Sequence, residues 1–546
     1  MTTKLAYNQI DGMAVSVKDF GAVGDGVTDD TVAISIWLDA LIANDIEGHL
    51  PDGVFLCDSL TKAAANGIRI SGTGTIKATG TARTNMIKFT GVRGEVNING
   101  PTFDANNIVA RGLEILSTGH TDATTLGSIY LGPDTKVINA FNAIGNSRVV
   151  IGVYIQGGFS EVVSECTIDG CDSQDTSGAE AYGLLVTWSS SMPDDWVRVC
   201  TLTSNSKIRN VKNSNTVLEN ADGIQFLAPV SQVANFTVVS GALFEECKGR
   251  AIKSQVLGNA IDSPTIRRTL YDGLTEIDMQ YSGGHCLGAN VFHDGVRVDA
   301  VIGVTQRLSP NYSHCDVGSN TLIITGSPAS DTANMVQVFG TDNTDSITNQ
   351  GVTLHHNKVF GTVEHFATVY GTNVADVNIV VDESNWVKTI ATSWLNMARV
   401  FANRAQLSYI ARNNVCEDGC TGSTIVSSGD LKVIEDTNNM NITPFLSTPF
   451  VYTATSGVVV PKGEKVIRVN GEGNTTDDID TITMTNYSPN EHLTIYNSGT
   501  SYTRTYKDGT GNLKLNGDCA LASANDTLVV RFDGTNACEV SRSING

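Results

Sequence analysis

Short segments of the chain repeat one pattern of small, apolar and outward-facing positions. RGLEIL (111–116), YGLLVT (182–187), DGIQFL (222–227) and RAIKSQ (250–255) each have a small residue, then an apolar one, then an alternation, and EIDMQY (276–281) continues the series without the small residue. Ile224 and Ile252 are 28 residues apart, and Ile252 and Ile277 are 25 apart. Because repeats of this period indicate solenoids, the pattern predicts coils of a parallel β-helix.

One helix is predicted near the N-terminus. A strand-like segment, Val15–Phe20, runs into a glycine-rich turn, after which the hydroxyl of Thr28 can cap a helix. The apolar residues that follow have helical spacing: Val32, Ile36, Trp37, Ala40 and Leu41. An open solenoid end exposes core and strand edges, so we expect this helix to cap the β-helix.

The pattern changes near residue 440, where stricter alternation and the turns NSGTS and DGTGN predict an antiparallel β-sandwich. The predicted fold class is therefore all-β. The predicted parts are a short N-terminal segment (1–14), the cap strand and helix (15–75), the parallel β-helix (76–439) and the sandwich (440–546).

Charge and hydropathy exclude two classes of partner. The chain has 57 acidic and 36 basic residues and a net charge of −21, so nucleic-acid binding by phosphate neutralisation is not expected. No apolar run is long enough to span a bilayer, and the N-terminus lacks the features of a secretory signal, so no membrane insertion is expected.

The cysteine and histidine spacings do not predict a metal site. The eleven cysteines are an odd number in mostly apolar settings, which indicates reduced packing residues of a protein made in a reducing cytoplasm. Cys416 and Cys420 lack a second cysteine pair, and His355, His356 and His365 are interpreted as strand-surface residues. We therefore expect that function requires no metal and no organic cofactor.

Stacking the repeats places polar residues on one face. If successive coils lie about 4.8 Å apart, then Asp222, Arg250, Lys253 and Asp278 share a face, with Gln225 between them. Carboxylates, cations and an amide are what sugar binding and cleavage require, because glycoside hydrolysis uses two carboxylates. Asp222 precedes a glycine, however, and turn chemistry alone is an alternative explanation for it.

The segment VKDFGAVGDGVTDDTVAI, followed by LPDGVFLC, resembles the start of the pectate-lyase-like superfamily of right-handed parallel β-helices. Together with KLAYNQIDG before it and an all-β C-terminal module, the chain resembles a bacteriophage tailspike. The resemblance implies a homotrimer on the virion, made in the host cytoplasm, that binds and cleaves capsular polysaccharide or O-antigen. It also implies that residues 440–546 serve trimerisation, with carbohydrate binding as a second role, and that the short N-terminus docks onto a phage tail or baseplate protein.

NADGI resembles the Asn-x-Asp-Gly-Ile element of polygalacturonase-type hydrolases, which implies that Asp222 is catalytic. The next coil has GRAIKSQ where that family has a paired aspartate, so the second carboxylate must come from elsewhere. Glu246 and then Glu219 are preferred, and Glu245 and Asp278 are the other candidates. The predicted substrate-binding residues are Tyr182, Trp188, Gln225, Arg250, Lys253 and Asp278.

Three functions remain open at this point. The first is a tailspike that hydrolyses surface polysaccharide within the chain. The second is a polysaccharide lyase on the same fold, with Lys253, Arg250 or His285 near a uronate. The third is a non-catalytic receptor-binding spike. A further acidic group, Asp169, Asp172 and Asp175, is interpreted as a solvated turn, with a cation site as the alternative.

Overall fold

The computed structural model describes residues 14–117, 127–143, 148–175, 180–187, 198–213, 221–227, 235–256, 258–268, 273–280, 283–293, 298–306, 314–324, 334–340, 350–360, 365–371, 377–383, 385–388, 396–416, 425–437, 450–461, 466–472, 476–483, 487–499 and 501–544. Apart from one helix and one 3₁₀ turn, Val17–Phe20, the regular structure of these residues is β-strand.

Successive coils of the chain form three stacks of parallel strands, so the predicted parallel β-helix is confirmed. The first stack contains Leu60–Ala63, Arg83–Thr90, Val109–Ser117, Val150–Gly157, Ala181–Thr187, Ala221–Leu227, Ile252–Gln255, Gly273–Gln280, Val298–Gln306, Asn334–Gly340 and His365–Gly371. The second contains Val15–Ser16, Glu47–Leu50, Gly67–Gly72, Glu95–Asn99, Ser128–Leu131, Glu161–Ser164, Arg198–Leu202, Asn235–Ser240, Gly258–Asp262, Gly283–Leu287, His314–Gly318, Gln350–His355 and Val377–Glu383.

The third stack contains Asp25–Asp29, Val54–Cys57, Thr75–Ala78, Thr102–Asp104, Lys136–Ile138, Phe141–Asn142, Thr167–Ser173, Lys207–Asn213, Leu243–Glu245, Thr265–Arg268, Asn290–His293, Thr321–Ile324, Lys358–Phe360, Trp386–Lys388 and Val415–Cys416. Two long strands, Asn396–Arg412 and Ile425–Thr437, continue both the first and the second stack.

The predicted register is confirmed in the first stack. Ile224 pairs with Leu184 on one side and with Ile252 on the other, and Ile252 pairs with Ile277. All four side chains are completely buried in one continuous core that runs through the coils.

A row of glycines explains how Asp222 and Gln225, which are three residues apart in sequence, can both face outward. Gly112, Gly152, Gly183 and Gly223 precede the core residue in successive coils. A Cβ on Gly183 would lie 2.5 Å from the carbonyl oxygen of Gly223 and 2.6 Å from Cγ2 of Ile208 in the third stack. The glycine and the following apolar residue therefore both face the interior, which turns the residues on either side of them outward.

The helix, α1, spans Thr31–Asn44 and packs against the first coils through Ile34, Trp37, Leu38 and Leu41. The predicted cap residue was wrong, because the hydroxyl of Thr28 donates to Asp25 and the helix begins after Asp30. The predicted apolar face was partly wrong, since Val32 is 71% and Ile36 is 51% exposed. Asp30 does not cap the helix either: its carboxylate accepts the backbone N–H groups of Val23 and Gly24 and so closes the glycine-rich turn.

Four buried asparagines form a ladder at the turn between the second and third stacks. The side-chain amide of Asn320 donates to Oδ1 of Asn357 at 2.9 Å, and Asn357 donates in the same way to Asn385 at 2.9 Å. Asn385 donates to Asn414 at 3.1 Å. Each of the three donors also gives a second amide hydrogen to a backbone carbonyl, of Cys286, Val317 or Leu354. This asparagine ladder joins four successive coils.

The C-terminal region has its own hydrophobic core, which includes Ile467, Ile495 and Leu528. Its largest sheet has six strands, in the order Phe450–Thr453, Val466–Asn470, His492–Asn497, Thr527–Phe532, Ala537–Ser543 and Leu513–Lys514. The remaining strands are Val458–Val459, Asp477–Ile479, Thr481–Ile482, Arg504–Tyr506 and Cys519–Leu521. The prediction of a purely antiparallel arrangement was wrong, because the first two pairings of the large sheet are parallel and the next two are antiparallel.

The nine cysteines whose side chains are described are unpaired, and all but Cys538 are buried, as expected of packing cysteines. No helix in the described part of the chain has the length and hydropathy that crossing a membrane demands.

Candidate functional site

The first stack carries two neighbouring rows of outward side chains. One row contains Tyr182 and, in the next coil, Asp222. The other contains Leu185, Gln225, Lys253 and Asp278 in successive coils. Tyr182 and Leu185 pack with Ile151 in a small cluster apart from the main core, which shows that both rows lie on the outer side of the sheet.

Asp222 is the buried carboxylate of this face. Its side chain has no exposed surface, and its Oδ1 accepts the backbone N–H of Arg250 at 3.0 Å. Its Oδ2 is also buried and accepts no hydrogen bond from the described residues. Burial raises the pKa of Asp222 to about 6, although Arg250 and Lys253 act in the opposite direction.

Arg250 joins Asp222 to a second carboxylate. Its Nη1 lies 3.5 Å from Oδ1 of Asp222, and its Nε lies 3.1 Å from Oδ2 of Asp278. Since both carboxylates contact one planar guanidinium, the contacting oxygens lie within roughly 9 Å of each other. Both ion pairs are shielded from solvent, because the side chains of Arg250 and Asp278 are 11% and 9% exposed.

The other predicted binding residues on this face have different environments. Gln225 is almost buried and donates from its amide to Oε1 of Gln255 at 3.3 Å. Lys253 is partly exposed and has no ion pair with any described residue. Tyr182 is buried, and its hydroxyl donates to Glu180. The ring of Tyr182 therefore packs within the protein rather than presenting a free face to a sugar.

Glu246, the first choice of partner carboxylate, lies on a different stack from Asp222. Glu246 lies in the turn after the third-stack strand Leu243–Glu245, where its backbone N–H donates to the carbonyl of Arg267. Glu245 pairs with Arg209 and Arg267 on the same stack. Glu219 and Trp188 lie outside the described residues.

The acidic group at 169–175 is divided among separate contacts. Asp169 accepts the side-chain amide of Asn210 at 2.7 Å, and Asp172 pairs with Lys212 at 3.6 Å, both within the third stack. Asp175 is buried. His285, a candidate base for a lyase, lies on the second stack, where its Nε2 is 3.1 Å from Oδ1 of Asp262.

Two further carboxylates of the first stack were not proposed as site residues from the sequence. Glu276 is completely buried one residue before Ile277, at the position where earlier coils have Gly223 or Ala251. A carboxylate in a row of small residues was the signal available in the sequence. Further along the outer face, the buried carboxylate of Glu114 is paired with Arg111 at 3.1 Å and Lys88 at 3.4 Å.

The described part of the chain contains no group of three or more histidine, cysteine, aspartate or glutamate side chains placed to hold a metal ion. The outer face of the first stack presents carboxylates, a guanidinium and an ammonium group.

Comparison with known proteins gives one family match. Residues 14–248 match the model of the rhamnogalacturonase A/epimerase, pectate-lyase-like family. A search of curated proteins finds no match.

The solved structures to which this chain is similar include two phage proteins and one glucanase. The tailspike protein of E. coli bacteriophage HK620 in complex with a pentasaccharide is 12% identical with a TM-score of 0.41, over 90% of this chain and 80% of that chain. The N-terminal fragment of bacteriophage phi29 gene product 12 is 12% identical with a TM-score of 0.42, over 86% and 79%. The catalytic unit of a GH87 α-1,3-glucanase from Streptomyces thermodiastaticus is 13% identical with a TM-score of 0.36, over 80% and 70%.

The parallel coils of residues 14–248 agree with the family match. Residues 14–248 are therefore similar to the pectate-lyase-like family, in agreement with the resemblance of the opening motif.

Proposed function

We propose that the protein is a tailspike depolymerase that binds bacterial capsular polysaccharide or O-antigen and hydrolyses it within the chain. The observation that carries this proposal is the pair of carboxylates, Asp222 and Asp278, held on one guanidinium of Arg250. Glycoside hydrolases need two carboxyl groups, about 5–5.5 Å apart in retaining enzymes and about 6.5–9.5 Å apart in inverting ones. The contacting oxygens of Asp222 and Asp278 lie within roughly 9 Å of each other, which is compatible with the separation in either class of enzyme.

The environments of the two carboxylates suggest different roles. Asp222, fully buried and with a raised pKa, is the general acid that protonates the glycosidic oxygen. Asp278, held by the cationic Nε of Arg250, is the carboxylate that activates water or attacks the sugar. Arg250 keeps both groups in place, and Lys253, which is partly exposed, is the register neighbour of Asp278 and lowers the pKa of Asp222 by its charge. Because Asp222 has no exposed surface, glycan binding must open this face before the acid can reach its substrate.

Digestion of a panel of capsular and O-antigen polysaccharides tests the activity. Hydrolysis produces new reducing ends, and each cut adds one water to the product mass. Elimination by a lyase would instead give a product with a conjugated double bond that absorbs ultraviolet light. Intact polysaccharide that is bound but never shortened would support the receptor-binding spike and would refute the proposed catalysis.

The pH dependence of cleavage follows from the role of Asp222. A general acid must be protonated, and the pKa of Asp222 is raised to about 6, so the turnover rate should be highest below pH 6 and fall above it. We expect this decrease in initial rates measured between pH 4 and pH 8, with thermal melting in the same buffers as the control for folding. A rate that rises steadily through pH 7 would rule out Asp222 as the acid.

Assembly is a separate part of the proposal. We propose a homotrimer whose C-terminal region drives self-association, while the N-terminus docks onto a phage tail or baseplate protein. Because residues 440–546 include a core of their own, removing them should leave the core of the coils intact but yield monomers or aggregates in light scattering. A stable trimer of the truncated chain would move assembly to another surface.

A further inference from the structure

We propose that His355 and His356 form a binding site for a divalent transition-metal ion of the Cu(II) or Ni(II) type. The pair lies at the end of the second-stack strand Gln350–His355, with His355 as its last residue and His356 directly after it. The proposal does not depend on the hydrolase activity, because Asp222 and its partners are on the first stack.

The two imidazoles bring their Nδ1 atoms together. These atoms are 2.9 Å apart, the ring planes are 83° to each other, and the ring centroids are 5.2 Å apart. In the metal-free protein this is the geometry of one proton shared between two ring nitrogens. Two nitrogens bound at right angles to one ion, with bonds of about 2.0–2.1 Å, also lie about 2.9 Å apart. A metal ion can therefore replace the shared proton if the exposed ring of His356 tilts toward it.

A carboxylate fixes the ring of His355. Nε2 of His355 lies 2.9 Å from Oδ1 of Asp316, in the preceding coil. An imidazole that donates its Nε2 proton to a carboxylate presents the Nδ1 lone pair, which is the form that binds metals. Metal-binding histidines are commonly held in this way, by a carboxylate on the other ring nitrogen.

The backbone leaves space for this contact. Gly318 is the register partner of His355, and a Cβ on Gly318 would lie 2.3 Å from ring atoms of His355. The ring can lie back over the preceding coil toward Asp316 only because that position has no side chain.

The surroundings favour a cation. Asp316 is the register neighbour of His285, which itself contacts Asp262, so carboxylates and imidazoles alternate along this stack. Only two ring nitrogens converge, and no third ligating side chain joins them among the described residues, so water completes the coordination. Two cis imidazoles with water suit the tetragonal geometry of Cu(II) and Ni(II).

Titration of the full chain, without a histidine tag, with Cu(II) tests the site. We expect one tightly bound equivalent by calorimetry, with electron paramagnetic resonance showing two imidazole nitrogens on the ion. His355→Gln and His356→Asn should each abolish this equivalent, and asparagine suits the backbone of His356, whose φ is 52°. Asp316→Asn retains both ligands and should weaken binding by about 10–100-fold.

His285→Gln is the matched control, because it removes a histidine paired with a carboxylate on the same stack. Binding that survives in His356→Asn, or that His285→Gln reduces equally, would overturn the proposal. If His356→Asn failed to fold, unchanged affinity in Asp316→Asn would still refute the arrangement. Cleavage of polysaccharide should be the same with and without the ion.

Discussion

Asp222→Asn is expected to reduce polysaccharide cleavage by about 10²–10⁴-fold, which is the contribution of an acid–base group. Asparagine keeps the size of the side chain and an oxygen that can accept the backbone N–H of Arg250, but it cannot give up an acidic proton.

The raised pKa of Asp222 means that folding favours its neutral form. The stability that this preference contributes is present below about pH 4 and is lost as the pH rises through 6. The neutral amide should therefore melt at neutral pH at the same temperature as the native protein, or higher.

The measurement is the initial rate of reducing-end formation, together with oligosaccharide binding and thermal melting of the variant. Asp172→Asn is the matched control, since it removes an ion-paired carboxylate from the third stack and should leave cleavage unchanged. Near-normal cleavage by Asp222→Asn would mean that Asp222 has only a structural role in its strand, and the active site would have to be sought elsewhere.

Gly183→Val is expected to prevent folding of the coils or to destabilise them by several kcal/mol, as overpacking does at rigid backbone contacts. The first added carbon would already lie 2.5 Å from a backbone carbonyl oxygen and 2.6 Å from Ile208. The carbonyl oxygen belongs to the next coil of the first stack and Ile208 belongs to the third stack, so relieving either contact would push these strands apart. Soluble yield, circular dichroism and the denaturant midpoint measure the loss.

Gly499→Val is the control, because among the described residues no atom outside its chain neighbours lies within 4 Å of a Cβ at that position. It should change stability by less than about 0.5 kcal/mol, as surface substitutions usually do. If the two variants were equally stable, the glycine row would have no packing role.

The register of the first stack could be predicted from sequence because each coil repeats one local pattern. The offsets of Ile224, Ile252 and Ile277 are enough to align three coils, and with them the outward positions Gln225, Lys253 and Asp278. The contact made by Arg250 could not be predicted in this way. Its guanidinium contacts Asp278 in the next coil. A long flexible side chain can adopt many conformations, and the sequence does not show which of them is occupied.

Glu246, the partner carboxylate preferred from the sequence, is close to Arg250 in the chain but lies apart from it in the fold. It is four residues from Arg250, but it lies in a turn after a third-stack strand, because each coil changes direction between its strands. Asp278 is 28 residues from Arg250 and contacts it. In this fold, residues that are far apart in sequence come into contact when they lie at matching positions of neighbouring coils.

The helix and the C-terminal region show two other limits of periodicity. Apolar spacing predicted a helix, but this helix has two apolar faces. The coils cover the face with Ile34 and Leu38 and leave the face with Val32 and Ile36 exposed. Alternation near the C-terminus predicted strands, but parallel and antiparallel strands alternate in the same way, so their direction could not be predicted.

The asparagine ladder has a consequence for how the protein bears mechanical load. A pull along the axis of the coils is perpendicular to the strands, so only bonds between coils resist it. From Asn320 to Asn414 each coil boundary carries side-chain amide bonds in addition to the backbone bonds of the strands. These bonds act in parallel, and separating two coils there requires all of them to break together. The segment between these asparagines should therefore transmit tension as a stiff rod, and extension under force should begin outside it.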